Sequence, residues 1–183
     1  MIYPVLVYGN QTLRKRAVEI TQDYENLSQI IANMWDTMYR TEGVGLAAPQ
    51  VGFSIRLFVI DGKDLSDDHP ELKDFKKVFI NAEIIEAEGE TDSQQEGCLS
   101  FPGIREEVTR PKQIHIKYLD EKFQPHDEFF NDQKARIIQH EYDHIEGKFF
   151  IDYLSSLRKR LIKGKLNSIT QGKIKVDYKI RLP

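Results

Sequence analysis

The sequence predicts an α+β fold with mostly antiparallel sheet. Three observations predict it: strand-like runs precede and interleave with the helices, the amphipathic helices stand isolated along the chain, and no β-α-β alternation links them. A chain of 183 residues suits one compact domain with a real core, here 1–183, and two domains are not expected.

The elements follow in chain order. Leu27, Ile30, Ile31, Met34, Trp35, Met38 and Tyr39 recur at i, i+3, i+4 and i+7. That spacing predicts an amphipathic helix over 27–39, capped near Asn26 or Ser28 and stopped at Gly43, its Met and aromatic residues serving as core packing. Arg56 to Asp61 reads as a buried strand, and Gly62 to Asp74 as an acidic surface loop. Val78 to Ala87 reads as a strand. Ile114 to Tyr118 alternates with period 2, and Phe123 to Phe130 returns as its hairpin partner. His115 and His126 read there as lone solvated histidines. A helix then runs from Asn131 or Asp132, good N-cap positions, to Gly147, a good residue just past a helix end. A basic C-terminal helix spans Ser155 to about Leu166, and a short strand Ile174 to Ile180 completes the segment 155–183.

Charge is uneven. From Ser155 to Pro183 nine Lys or Arg face one acid, Asp177, so this segment is +8 and the rest of the chain, given a total of −3, is −11. A basic tail can dock on a polyanion; the plainer reading is a solvated amphipathic helix with a frayed end. No apolar run approaches the ~20 residues that span a bilayer. The first residues lack the basic and apolar regions of a secretory signal. One cysteine makes no internal disulfide, which suits a reducing interior and leaves the thiol free. The cytoplasm is the expected location.

Chemistry concentrates on Gln139-His140-Glu141-Tyr142-Asp143-His144, which contains H-E-x-x-H. Residues i and i+4 share a helical face, so two imidazoles can converge on one ion, with Glu141 on the same flank. At ~100° per residue, Ala135, Ile138, Tyr142 and Ile145 form the apolar arc. Arg136, Gln139, Asp143 and Glu146 fall opposite, and His140, His144, Glu141 and Ile137 lie on one flank of the apolar face. Two histidines and a glutamate beside a buried stripe are costly without partners, and a metal satisfies all three.

A catalytic site of this type needs a third protein ligand and one open position. No histidine follows Gly147 at the metzincin spacing, and no glutamate follows Glu146. Asp152, Asp177, His69, His115, His126 and Cys98 remain. Cys98 is the only cysteine, in Gln95-Glu96-Gly97-Cys98-Leu99-Ser100-Phe101-Pro102-Gly103, bracketed by glycines that let the backbone approach closely. A lone cysteine is often just a small buried hydrophobe. Beside an H-E-x-x-H lacking its usual third ligand, Cys98 becomes the favoured donor.

Three segments together resemble peptide deformylase: Gly43-Val44-Gly45-Leu46-Ala47-Ala48-Pro49-Gln50, Glu96-Gly97-Cys98-Leu99-Ser100, and Gln139 to His144. They stand in the family's order with similar separations, and the likeness extends from roughly Leu13 to Leu154. The resemblance implies antiparallel sheets around a central helix bearing the metal-binding histidines. It implies an enzyme that removes the formyl group from N-formyl-methionyl nascent peptides and releases formate. The implied cofactor is one divalent ion, Fe(II) in the cell, replaced by Zn, Ni or Co in preparations, as the low place of Fe(II) in the affinity order leads one to expect. Cys98, His140 and His144 would hold it, Glu141 would act as acid and base, and the Gln50 amide with the Leu99 backbone N–H would face the oxyanion. Gly43, Val44, Gly45 and Leu46 would accept the peptide as an added strand, with an apolar pocket near Val44 and Ile137 for the methionine side chain. Glu96 and Asp143 are candidate partners for the metal-bound imidazoles, and Arg110 for one of those carboxylates. Arg158, Lys159, Arg160, Lys163 and Lys165 would dock on the ribosome; neither DNA nor membrane is an expected partner. The rival readings are an H-E-x-x-H zinc peptidase cleaving internal bonds, and a non-catalytic, metal-stabilised ribosome-binding module. The joint presence of Glu141, Gln50 and Gly45 argues against the second.

Overall fold

Four apolar residues in a row, Leu57 to Ile60, are buried without alternation because their strand is covered on both faces. This is β3 (Leu57–Asp61) in a computed structural model that describes residues 1–183. Leu57 and Val59 join Ile30, Met34 and Met38 of α1 (Leu27–Arg40), whereas Phe58 and Ile60 join Ala135 and Ile138 of α2 (Asp132–Ile145). Successive strand residues point to opposite faces, so one short segment serves two cores.

The sheet holds five strands in sequential order: β2 (Gly45–Ala47), β3, β4 (Lys76–Gly97), β5 (Arg105–Leu119) and β6 (Pro125–Asn131). Every neighbouring pair is antiparallel. With α1, α2 and α3 (Ser156–Thr170) this makes an α+β architecture. Parallel pairing occurs between β1 (Val5–Leu6) and β7 (Ile180–Arg181), and in an isolated bridge between Val18 and Ile55. A third apolar cluster lies between these ends: Phe101, Phe149 and Phe150 pack with Ile162, Leu166 and Ile169 of α3.

Several sequence expectations need correction. The strand expected over 78–87 runs on to Gly97; its outer half is polar and largely exposed, with none of the apolar alternation that would reveal it. The loop 62–74 contains two short 3-10 turns, and it buries Leu72 completely. Gly43 is not the stop of α1. Instead Glu42 takes the left-handed conformation at φ +54°, and Glu42 and Gly43 donate to the Tyr39 and Met38 carbonyls. α2 ends the same way with the expected residue: Gly147 has φ +69°, and a Cβ there would meet the Arg14 carbonyl oxygen at 2.5 Å. His115 and His126 are not lone: His115 stacks on Phe129 and meets Asp127, and His126 sits 3.0 Å from Asp120. The C-terminal helix runs to Thr170, beyond Leu166, and of the strand expected over 174–180 only Ile180 pairs, together with Arg181 just past it. The end is not frayed; Val5 N–H donates to the Lys179 carbonyl at 2.9 Å.

Candidate active site

Cys98 leaves β4 where its pairing with β5 ends at Gly97 and Arg105, and α2 crosses close by. This brings Cys98 Sγ to 3.3 Å from His144 Nε2. Donor atoms of Cys98, His140 and His144 all lie within 4.8 Å of one another, and no other histidine, cysteine or acid joins such a group. Asp152, a rival third ligand by sequence, instead pairs with Arg14 at 2.6 Å.

The donor set fits a divalent ion: one sulfur and two imidazoles, with bond lengths of about 2.0–2.3 Å, span the separation seen. Electrostatics agree. His140 Nδ1 lies 2.9 Å from Glu96 Oε2. Burial works against a positive charge on His140, but Cys98 and Glu96 outweigh it and push its pKa well up, so this point attracts a proton or another cation. Burial, then the neighbouring His140 and Arg110, hold His144 well below the usual range, as a neutral imidazole. Two buried atoms here find no protein partner: His144 Nδ1 and Glu141 Oε2. Glu141 Oε2 is the kind of unpaired group that solvent on a bound ion would satisfy, whereas His144 Nδ1 is the ring nitrogen away from Cys98, since Nε2 is the one that faces Sγ.

Glu141 is almost fully buried, and burial raises its carboxyl to about 7. Gly45 makes room for it: a Cβ on Gly45 would sit 2.5 Å from Glu141 Oε1. Gln50 is equally buried. Its Oε1 accepts the Ala47 N–H at 2.9 Å, which turns Nε2 toward Cys98 Sγ at 3.4 Å and Ser100 Oγ at 3.3 Å. No protein acceptor takes the Leu99 N–H. The cleft over these groups measures about 820 Å³ and is bordered by Gly43, Val44, Gly45 and Ile137. Leu46 is not on it; the side chain alternates away from Gly45 into the α1 core and is fully buried.

Behind His140 lies a buried ionic cluster. Arg110 grips Glu96 through Nε and Nη2 at 2.7 and 3.0 Å and reaches Asp143 at 2.9 Å. Burial opposes ionisation of Glu96, yet His140 and Arg110 bring it down to about 2. Arg110 therefore pairs with both candidate carboxylates, and all three groups are buried between β5 and α2. Arg136, Gln139 and Asp143, on the polar arc of α2, are buried as well. Arg136 reaches Glu96 at 2.7 Å, and Tyr153 donates to Asp143 at 2.8 Å.

Sequence reasoning missed Arg136, although a cation one helical turn before His140 is a readable signal. It also missed Tyr178, which borders the cleft and donates to the Leu99 carbonyl at 2.8 Å; nothing local in the chain marks it. Of the five basic residues on α3 singled out by charge, Arg158 is engaged with the buried Glu106 at 2.6 Å and Lys159 with the Asp152 carbonyl at 2.8 Å. Lys165 borders the cleft.

A sequence model of the polypeptide deformylase family matches residues 2–160. The chain is 52% identical over 190 residues to a peptide deformylase of Christiangramia forsetii, covering 100% of this chain and 97% of that one. Among solved structures it is similar to a peptide deformylase from Legionella pneumophila, with a TM-score of 0.81 and 37% identity over 94% of this chain and 98% of that one. The Thermotoga maritima peptide deformylase is 42% identical with a TM-score of 0.76, over 85% and 99%.

Proposed function

Because the chain belongs to the peptide deformylase family, metal-dependent enzymes that remove the formyl group from N-formyl-methionyl peptides, we propose how its own residues divide that work. The observation that carries the proposal is the convergence of Cys98, His140 and His144 within 4.8 Å, next to a cleft that Glu141 also borders. These three side chains are the metal ligands. The bound ion supplies Lewis acidity toward the formyl carbonyl and toward water.

Every other step belongs to the chain. Glu141 takes the proton of the attacking water and returns it to the departing amine; a buried carboxyl near 7 suits a group that must both accept and donate. Gln50 Nε2 and the Leu99 N–H receive the oxyanion as the carbon becomes tetrahedral. The main chain of Gly43 to Gly45 reads the peptide as an added strand, because β2 is an edge of the sheet. Leu46 contributes at most its backbone. Val44 and Ile137 border the space for the methionine side chain.

Fe(II) is the proposed ion in the cell, with Zn, Ni or Co substituting in preparations, and the cytoplasm the proposed location. No helix is long and apolar enough to cross a membrane. Residues 1–183 are proposed as a single functional unit. Exposed Arg160, Lys163 and Lys165, with their neighbours, are the proposed ribosome contact, supported by the +8 charge of the segment. Arg160→Glu with Lys163→Glu should abolish salt-sensitive cosedimentation with ribosomes while leaving peptide turnover intact. Unchanged cosedimentation would remove that contact.

Family membership does not favour an internal-bond peptidase or a non-catalytic module. The deciding experiment measures formate released from a formyl-Met peptide under anaerobic conditions, before and after metal stripping, together with metal analysis. Cys98→Ser should lose both metal and turnover. A Cys98→Ser protein that kept its metal and rate would overturn the ligand assignment.

A further inference from the structure

The turn that carries Cys98 has its carbonyls tied down in three directions. Cys98 O accepts the Phe101 N–H at 2.9 Å, closing a β-turn whose central residues are Leu99 and Ser100. Ser100 O accepts the Tyr8 N–H at 2.9 Å. Leu99 O, on the central peptide, accepts only the Tyr178 hydroxyl at 2.8 Å. That central peptide is the unit that rotates when a β-turn changes type, and Tyr178 is its sole lock.

Tyr178 arrives on an extended strap, residues 171–183, beyond the stretch matched by the family model. Along it Gly172, Ile174, Val176, Tyr178 and Ile180 are half-buried, while Lys173, Lys175, Asp177, Lys179 and Arg181 are exposed. The strap is anchored at both ends. Lys173 N–H donates to the Ser168 carbonyl at 2.8 Å, and β7 pairs with β1. Gly9 has no Cβ to strike Pro183, whose Cγ would lie 2.7 Å away from one. Burial raises the Tyr178 phenol to about 12, so it stays a donor across the working pH range.

We infer that Tyr178 is a positioning residue for deformylation. By holding the Leu99 carbonyl it keeps the central peptide from rotating and so fixes the Leu99 backbone, whose N–H lies on the preceding Cys98–Leu99 peptide. With it is fixed the turn that aims that N–H and Cys98 Sγ into the cleft. The inference rests on the reading of Leu99 as an oxyanion donor. A residue contributed by the C-terminal strap thereby becomes part of the catalytic architecture without touching the substrate.

Tyr178→Phe removes the hydroxyl and little else. One ordinary hydrogen bond corresponds to about a three- to ten-fold fall in kcat. KM should stay within about two-fold and metal content should equal the parent's, while Lys175→Ala, an exposed strap residue, should leave kcat unchanged. In zinc-loaded, isotope-labelled protein the Leu99 carbonyl carbon resonance should move in Tyr178→Phe and stay in place in Lys175→Ala. An unchanged kcat overturns the inference, as does a rise in KM alone, which would make Tyr178 a wall of the peptide cleft. A stationary Leu99 resonance overturns it as well. If the parent protein released no formate, the reading of the site would fall instead, and the resonance would still judge the lock.

Discussion

On one side of α2, Ala135, Ile138 and Ile145 rest on Phe58, Phe79, Ile114 and Ile116 with no polar atom to satisfy. On the other side Arg136, Gln139 and Asp143 are just as buried, yet they meet Glu96, Arg110, Tyr153 and backbone carbonyls. The two sides fail differently. Apolar contacts are non-directional and weaken gradually as atoms are removed. A buried ion cluster is worth little net stability when whole and is severely damaged when one member goes. The apolar side holds the helix in place, and the ionic side fixes the rotation of His140 through Glu96, which a packing surface alone cannot do.

Glu141 lies between these two sides, and its removal carries the largest expected effect. Glu141→Ala should keep the fold and the metal while lowering kcat about 10²- to 10⁴-fold, the usual span for loss of a general acid–base group. Stopped-assay formate release with parallel metal analysis checks it. Full activity in that variant would take Glu141 out of the mechanism.

Breaking the ionic side comes next. Arg110→Met keeps much of the volume but leaves Glu96 and Asp143 short of their shared cation. It should cost about 3–5 kcal/mol in urea denaturation. A loss below about 1 kcal/mol would mean that the cluster is solvated rather than enclosed. Acid tests the same network without mutation. Glu96 has a pKa of about 2 in the folded protein against an ordinary 4.5, so the unfolded chain binds its proton first. The stability from this depression is fully present above about 4.5 and drains away as pH falls toward 2. Arg110→Met should shrink the acid-sensitive component, measured as the difference in unfolding midpoint between pH 6 and pH 3.

Gly45→Ala follows in size. The added methyl would press on Glu141 Oε1 from 2.5 Å, and the enclosed carboxylate can yield only by leaving its working position. A displacement of that order lowers kcat by about 100-fold while the melting temperature barely moves. If instead stability collapsed and residual kcat per folded molecule were normal, Gly45 would serve packing alone.

The same contrast explains what could be read in the chain beforehand. Apolar periodicity located α1, the cap candidates at Asn131 or Asp132 and Gly147 bounded α2, and the continuous apolar run located β3. The H-E-x-x-H spacing and the lone Cys98 pointed to the triad that lies within 4.8 Å. The outer half of β4 was illegible, since its polar residues carry no pattern and its pairing with β5 is a long-range property. The wheel of α2 put Arg136 and Asp143 opposite the apolar arc, but a wheel does not say what packs against that polar side. Only tertiary structure reveals that Arg110 and Tyr153 meet Asp143 and that Glu96 meets Arg136. Tyr178 was equally hidden, being 79 residues from the carbonyl it holds.

The smallest effect belongs to the apolar side. Ile138 is fully buried in the α2 core, two residues before His140 but directed toward the sheet. Ile138→Val removes one methylene and should cost about 0.5–1.5 kcal/mol in urea denaturation. Turnover at 25 °C should remain within about two-fold, because a small void on that side leaves the Glu96–His140 bond and the ionic cluster untouched. A larger drop in kcat than in stability would mean that the apolar face also aims the imidazoles, and the division of labour across α2 would have to be abandoned.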